Sequence, residues 1–128
     1  MLTQITHITL LVPNQDEALD FYVNKLGFQL HTDAMFGPMR WLTITLPGQK
    51  DLEISLMLAK TAEEKALIGK QAGDKPLLAF ACDDCIKTFE QLKNKGVKIV
   101  SEPKHESWGT SMACLDPFGN TIYIVANG

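Results

Sequence analysis

Arginine is almost absent from this sequence, in which Arg40 is the only one among 128 residues. The other eleven basic residues are lysines scattered along the chain, and fifteen acidic residues leave a formal net charge of -3. Proteins that bind nucleic acids gather basic side chains, arginine above all, on one face. The composition therefore argues against a nucleic-acid partner.

Long apolar runs and a basic N-terminal flank are missing too. No stretch approaches the roughly 20 apolar residues of a membrane-spanning helix, and the start MLTQITHITLLVP lacks the positive charges of a signal peptide. The three cysteines Cys82, Cys85 and Cys114 are an odd number, so we expect reduced thiols rather than disulfides. These absences predict a cytoplasmic protein without a membrane partner.

The remaining composition is that of an ordinary globular protein, with 45% hydrophobic and 21% charged residues. A chain of 128 residues has the usual size of one domain, and we expect a single domain over 1–128. The sequence divides into two similar parts. We place a first module at about 1–58, a linker at 59–75 and a second module at about 76–126.

The first module has the pattern β-α-β-β-β. The alternation in ITHITLLV predicts a strand with two different faces. A helix follows, because Asn14 and Glu17 have the spacing of a capping box and Gly27 is suited to end the helix. Three further extended stretches are predicted at 28–32, 39–46 and 51–58.

The linker is rich in Lys, Glu and Gly, and Thr61 and Glu64 are spaced as a capping box for a short helix that ends before Gly69. The second module then repeats the first. It contains the strand PLLAFAC, a helix with an acidic cap at Asp83 or Asp84, and the strands VKIV, SMACL and TIYIV.

Two βαβββ modules predict an α+β fold. Each module buries its helix against one face of its sheet and leaves the other face free. Side by side, two such modules form a curved mixed sheet shaped like a cup, with the helices on the outside. The modules correspond at an offset of about 70 residues, which aligns His7 with Leu77 and Glu53 with Tyr123.

The segments ITHITLLV, ALDFYVNKLGF and WGTSMACLDPFGNTIYIV resemble the vicinal oxygen chelate superfamily, over most of the chain from Ile5 to Val125. This superfamily includes glyoxalase I, extradiol dioxygenases and bleomycin resistance proteins. The resemblance implies the cup-shaped fold and a small-molecule ligand in the cup. It also implies a homodimer, for which unpaired strand edges supply a physical motive.

In metal-using members of that superfamily, each module supplies two ligands to one divalent ion. The resemblance places His7 and Glu53 at two of these positions, whereas the second module has Leu77 and Tyr123 there. A divalent ion needs about four to six donors, and a tyrosine binds as an anion only after losing a proton with a reference pKa near 10. We therefore expect no cofactor and no tightly bound metal, with weak binding of a divalent metal as the alternative.

Strand alternation predicts which side chains face the cup. A concave, mostly apolar surface with a few polar groups is typical of a small-molecule pocket. The residues expected to contact the ligand are His7, Thr9, Trp41, Glu53, Ser55, Met57, Leu77, Ala79, Trp108 and Tyr123. Met112 is expected at the rim or wall of the cup, and His31 and His105 are assigned no role.

The leading hypothesis is a protein that binds a small organic molecule without a tightly bound metal, with Glu53 as its charged anchor. The alternative is a glyoxalase-like lyase or isomerase in which Glu53 is a general base and Tyr123 donates to a developing oxyanion. A dioxygenase is disfavoured because Leu77 stands at the second histidine position. Two further interpretations involve no catalysis. In one, Glu53 forms a hydrogen bond with His7 or Tyr123 in a polar cluster that has no chemical role. In the other, the protein is an interaction domain whose cup holds a partner chain.

Cys82 and Cys85 have the CxxC spacing of redox and zinc motifs. The sequence contains no second cysteine pair. Asp83 and Asp84 lie between Cys82 and Cys85, and their negative charges oppose the formation of a thiolate on these cysteines. The sequence alone therefore makes dithiol chemistry the weaker interpretation.

Overall fold

The computed structural model describes residues 1–127, which divide into two compact units between Leu67 and Ile68. Each unit contains one four-stranded mixed sheet. Within the described residues, no helix has both the length and the apolar character needed to cross a membrane.

In the first unit, the sheet order β1-β4-β3-β2 places β4 between β1 and β3. The strands β1 and β4 are parallel, and the other pairs are antiparallel. The elements are β1 (His7–Val12), α1 (Gln15–Leu19) with a π-helical continuation (Asp20–Lys25), β2 (Gln29–Phe36), β3 (Met39–Leu46), β4 (Gln49–Leu58) and α2 (Ala62–Leu67).

The second unit repeats this topology with the sheet order β5-β8-β7-β6 and a parallel β5–β8 pair. Its elements are β5 (Leu78–Ala81), α3 (Cys85–Asn94), β6 (Lys98–Glu106), β7 (Gly109–Leu115) and β8 (Thr121–Asn127). The predicted α+β class with two βαβββ modules is therefore confirmed.

The predicted helix starts are observed as hydrogen bonds. The Asn14 side chain accepts from the backbone N–H of Glu17, and Asp84, rather than Asp83, caps α3. The Thr61 hydroxyl accepts from the backbone N–H of Glu64, whose carboxylate accepts from the backbone N–H of Thr61 in return. The strand boundaries are less well predicted, since β2 extends to Phe36 instead of ending at Thr32.

One face of the first sheet is apolar and packs against the helical segment. Leu10, Leu42, Ile44 and Leu56 are almost fully buried there. Tyr22 is also fully buried, and its ring makes edge contacts with two phenylalanines at centroid distances of 5.1 and 5.7 Å. This packing fixes the first sheet and leaves its opposite face for polar side chains.

The prediction that Met112 lies at the rim or wall of the cup is wrong. Met112 is fully buried and pairs with Ile124, so the two side chains share the apolar face of the second sheet. Its neighbour Ala113 pairs with Tyr123 on the opposite face. The run SMACL is almost uniformly buried, and its sequence therefore shows no alternation from which the facing could be predicted.

Candidate functional site

The polar face of the first sheet is centred on β4. In the parallel register, His7 lies beside Glu53 and Thr9 beside Ser55. The antiparallel register places Thr43 on the other side of Ser55. Because side chains alternate along a strand and paired residues share a face, these five side chains lie on the same face of the sheet.

The Glu53 carboxylate is contacted by three side chains. The Thr43 hydroxyl donates to its Oε1 atom at 2.7 Å. His31 Nδ1 lies 3.0 Å from the same Oε1 atom, and His7 Nε2 lies 3.3 Å from Oε2. The side chain of Glu53 is 17% exposed, so this carboxylate is held in place by neighbours while keeping access to solvent.

His31 is a residue of this cluster that the sequence analysis missed. The pairing of β2 with β3 runs from Leu30 opposite Ile44 to Thr32 opposite Thr43, which leaves His31 as an extra residue in a β-bulge. Gln29 pairs with Thr45, so alternation along β2 places His31, two residues later, on the same face as Thr43 and Thr45. The ring then reaches Glu53 across β3, and it is this strand order that a period-two pattern does not contain.

His7 is oriented from both sides. Its Nδ1 atom lies 3.0 Å from the Thr6 hydroxyl, and its ring packs at a tilted angle on Trp41 with the centroids 5.6 Å apart. The Thr6 hydroxyl therefore faces Nδ1, and Nε2 faces the Glu53 carboxylate. The contact with His7 that the sequence analysis considered for Glu53 is therefore present.

Ser55 stands out because its hydroxyl is buried without a hydrogen-bond partner among residues 1–127. The residue is 1% exposed and lies between Thr9 and Thr43 in the sheet. A buried polar group without a partner costs about 1–3 kcal/mol. Ser55 is thus a polar position that the packing of this unit does not explain.

A cavity of about 410 Å³ opens next to this cluster, in the first unit. Three of the predicted ligand-contacting residues line it, whereas His7, Glu53 and Ser55 do not. We call it the Trp41 cavity, and its lining consists of Thr9, Leu11, Gln15, Pro38, Met39, Arg40, Trp41, Met57, Leu58, Lys60 and Glu64. Trp41 joins the two features, because it lines the cavity and also contacts His7.

Two charged groups at the Trp41 cavity, Arg40 and Glu64, already have hydrogen-bond partners. Arg40 donates through Nε and Nη2 to Asp33 at 2.9 Å and through Nη1 to Asp16 at 2.7 Å. These bonds raise the pKa of Arg40 and lower the pKa of Asp33. Backbone N–H groups of Lys60 and Thr61 lower the pKa of Glu64. The cavity therefore combines an apolar wall with an arginine whose charge is compensated by Asp16 and Asp33.

Glu53 is the centre of this cluster. His7 Nε2 contacts its Oε2 atom, and His31 Nδ1 contacts its Oε1 atom. Across residues 1–127, no group of three or more His, Cys, Asp or Glu side chains that could hold a metal ion is found.

The remaining predicted site residues belong to the second unit. Ala79 and Tyr123 are paired neighbours on β5 and β8, and Leu77 precedes β5 and donates its backbone N–H to Thr121. Trp108 lies apart from them in the turn between β6 and β7 and is 47% exposed. The structure thus brings Ala79 and Tyr123 together and does not bring Trp108 onto their strands.

The sequence profile described as "Glyoxalase/Bleomycin resistance protein/Dioxygenase superfamily" matches residues 4–124. An uncharacterized protein of Shewanella frigidimarina (strain NCIMB 400) is 35% identical over 94% of this chain and 90% of its own. A lactoylglutathione lyase of Neisseria meningitidis serogroup A is 28% identical over 95% of this chain and 89% of its own. The crystal structure of TnmS3, an antibiotic binding protein from Streptomyces sp. CB03234, aligns with a TM-score of 0.80 at 26% identity, covering 99% of this chain and 98% of TnmS3.

Proposed function

This chain belongs to the Glyoxalase/Bleomycin resistance protein/Dioxygenase superfamily, and we propose that it is a cytoplasmic member that binds a small organic molecule without a resident metal. The observation that carries the proposal is the Trp41 cavity beside the His7–Glu53 pair. An apolar recess with a few placed polar groups is the usual form of a small-molecule site.

The cavity favours a planar, largely apolar ligand. Trp41 offers an indole face, and Leu11, Met39 and Met57 supply apolar and polarisable surface around it. The charges of Arg40 are compensated by Asp16 and Asp33, so they do not dominate the recess. The similarity to TnmS3, described as an antibiotic binding protein, supports a small organic ligand.

Glu53 supplies the polar anchor. An ionised carboxylate has about four acceptor positions, and Thr43, His31 and His7 account for three of them. A ligand that stacks on Trp41 and carries an N–H or O–H group at its edge would use the remaining one. Such a ligand replaces solvent at a carboxylate whose position is already fixed.

The test is a binding screen with planar aromatic compounds, including aromatic antibiotics, followed by thermal shift and tryptophan fluorescence. The two tryptophans provide a matched pair of variants. We expect Trp108→Phe to keep ligand-dependent quenching of the Trp41 emission. Trp41→Ala should weaken binding of the same compound at least about tenfold, which corresponds to about 1.4 kcal/mol.

Glu53→Gln separates a binding site from a merely apolar recess. We expect weaker binding of compounds with a donor group at the edge and little change for compounds without one. The proposal is wrong if no compound binds, or if binding is unaffected by both Trp41→Ala and Glu53→Gln while it is lost in Trp108→Phe.

A second candidate is a metal-dependent lyase, because His7 and Glu53 lie 3.3 Å apart and a lactoylglutathione lyase is among the relatives. In this function, Glu53 is the general base. The test adds nickel, zinc, manganese or iron to the protein and measures metal content, thermal shift and lactoylglutathione lyase activity. If the protein binds stoichiometric metal and has lyase activity, and if both His7→Ala and Glu53→Ala lose the metal and the activity, then the lyase function would replace the proposed binding function.

We further propose that the protein is a homodimer, as the family resemblance implies. Met35 and Phe36, at the end of β2, are 62% and 61% exposed and give an edge strand an apolar end that a partner would cover. Sedimentation velocity at several protein concentrations tests this, and a monomer at all of them contradicts it.

A further inference from the structure

A pair of free thiols lies in the second unit, at the junction of β5 and α3. Cys82 follows the last residue of β5, and Cys85 is the first residue of α3. Their Sγ atoms lie 3.5 Å apart, in direct contact, and both cysteines are free. A disulfide of about 2.05 Å requires the sulfurs to approach by only about 1.5 Å.

The two thiols have different surroundings. Cys82 is half-buried, and its backbone N–H is bonded to the carbonyl of Val125. Cys85 is 2% exposed, and its thiol donates to the carbonyl of Thr110 at 3.3 Å. Burial is the largest cause that raises the pKa of Cys85 to about 11, which makes its thiolate at pH 8 roughly two orders of magnitude scarcer than that of an ordinary cysteine.

We propose that Cys82 and Cys85 form a reversible dithiol–disulfide couple that reacts with hydroperoxides. The accessible Cys82 thiolate attacks one oxygen of hydrogen peroxide, which yields a sulfenic acid on Cys82 and a hydroxide ion. The Cys85 thiol then attacks the Cys82 sulfur, the S–OH bond breaks, and the hydroxyl leaves as water with the Cys85 proton. Two thiols and one peroxide thus give one disulfide and two waters.

The local structure favours a disulfide that is easily reduced. Asp83 and Asp84 lie between the cysteines in the sequence, and the negative charge of Asp84 helps to raise the pKa of Cys85. The Asp84 side chain also accepts hydrogen bonds from the backbone N–H groups of Ile86 and Lys87. The disulfide closes a loop with only two residues between its ends. Its entropic contribution to stability is therefore small, and a thiol reductant can open it.

Oxidation also removes a contact. The Cys85 proton that is bonded to the Thr110 carbonyl is lost when the disulfide forms. The first turn of α3 is then tied to the end of β5 in place of β7.

To test this proposal, the full-length protein is treated with hydrogen peroxide, and the thiols that remain are then alkylated with iodoacetamide. Peptide mass spectrometry should find the loss of two hydrogens in the peptide with Cys82 and Cys85, and its reversal by dithiothreitol. Cys114→Ser should behave like the wild type, because Cys114 is a separate, buried thiol. Circular dichroism before and after treatment shows that each variant is folded.

Cys85→Ser distinguishes the roles of the two sulfurs. Without the second thiol, the sulfenic acid on Cys82 should persist and be labelled by dimedone, whereas Cys82→Ser should show no dimedone adduct at Cys85. The proposal is overturned if the wild-type peptide retains two alkylatable thiols after peroxide, if the disulfide links two chains, or if Cys85 carries the adduct. None of these outcomes depends on ligand binding at the Trp41 cavity.

Discussion

Thr43 donates a hydrogen bond of 2.7 Å to Glu53 from the neighbouring strand of the same sheet. Thr43 is fully buried, whereas Glu53 keeps partial access to solvent. The buried Thr43 hydroxyl thus fixes the Oε1 atom of the carboxylate. His31 contacts the same oxygen, and His7 contacts Oε2. Glu53 is positioned before any ligand arrives, which lowers the entropic cost of binding.

We expect this contact to appear as a coupling energy. A hydrogen bond to a charged acceptor contributes about 1.5–3 kcal/mol. Thr43→Val should therefore lower the free energy of unfolding by about 2 kcal/mol in the wild type, and by at least about 1 kcal/mol less in a Glu53→Ala background. Urea unfolding of the four proteins measures the cycle, and simple additivity of the two substitutions would contradict the contact.

Ser55→Ala should increase stability. The Ser55 hydroxyl is buried without a partner among the described residues, and its removal relieves a desolvation cost of about 1 kcal/mol. Equilibrium unfolding in urea measures the change. A loss of more than about 1 kcal/mol would show that the hydroxyl has a partner in solution and would contradict the prediction.

Cys114 should make the stability depend on pH in the alkaline range. Burial, assisted by the negative charge of Asp116, raises the pKa of the Cys114 thiol to about 11. An unfolded cysteine ionises near 8.5, so the folded state holds its proton more tightly. The contribution of this thiol to the free energy of unfolding is fully present below about pH 8.5. It is lost as the pH rises toward 11, and the total loss is about 3 kcal/mol.

The measurement compares the wild type with Cys114→Ala from about pH 8 to about pH 11, in the presence of a reductant. The packing loss in the variant is the same at every pH, and other titrating groups cancel in the difference. We expect the stability advantage of the wild type to shrink steadily across this range. A constant difference would mean that the thiol ionises equally in both states.

Two linker glycines allow a matched test of backbone packing. Gly69 and Gly73 both have positive φ, of +75° and +66°, where a Cβ costs roughly 1–2 kcal/mol. A Cβ at Gly69 would also clash with the carbonyl of Phe118, whereas nothing lies within 4 Å of one at Gly73. Gly69→Ala should therefore lose about 1–3 kcal/mol more than Gly73→Ala, as measured by thermal and urea unfolding. Equal losses would contradict this contact.

Much of the first unit follows from short-range patterns. The alternation around His7 and Glu53 predicts that both residues point away from the apolar face. The core residues Leu10 and Leu56 lie three residues further along the same strands and therefore face the opposite side. Capping residues predict where helices start, since their side chains bond to backbone groups three residues away. These signals are local, and the structure follows them.

The remainder of the site depends on information that alternation does not hold. His31 reaches Glu53 across β3, and alternation along one strand does not show which strands lie side by side. Arg40, Lys60 and Glu64 line the Trp41 cavity because distant segments of the first unit pack together. Likewise, the spacing of Cys82 and Cys85 does not reveal that their sulfurs are in contact.

Glu53 connects three other strands of its sheet through side chains, because His7 lies on β1, Thr43 on β3 and His31 on β2. Slippage of any of these strands by one residue would turn its side chain to the opposite face and break its contact with the carboxylate. This single acidic residue therefore also helps to hold the strands of the first sheet in register.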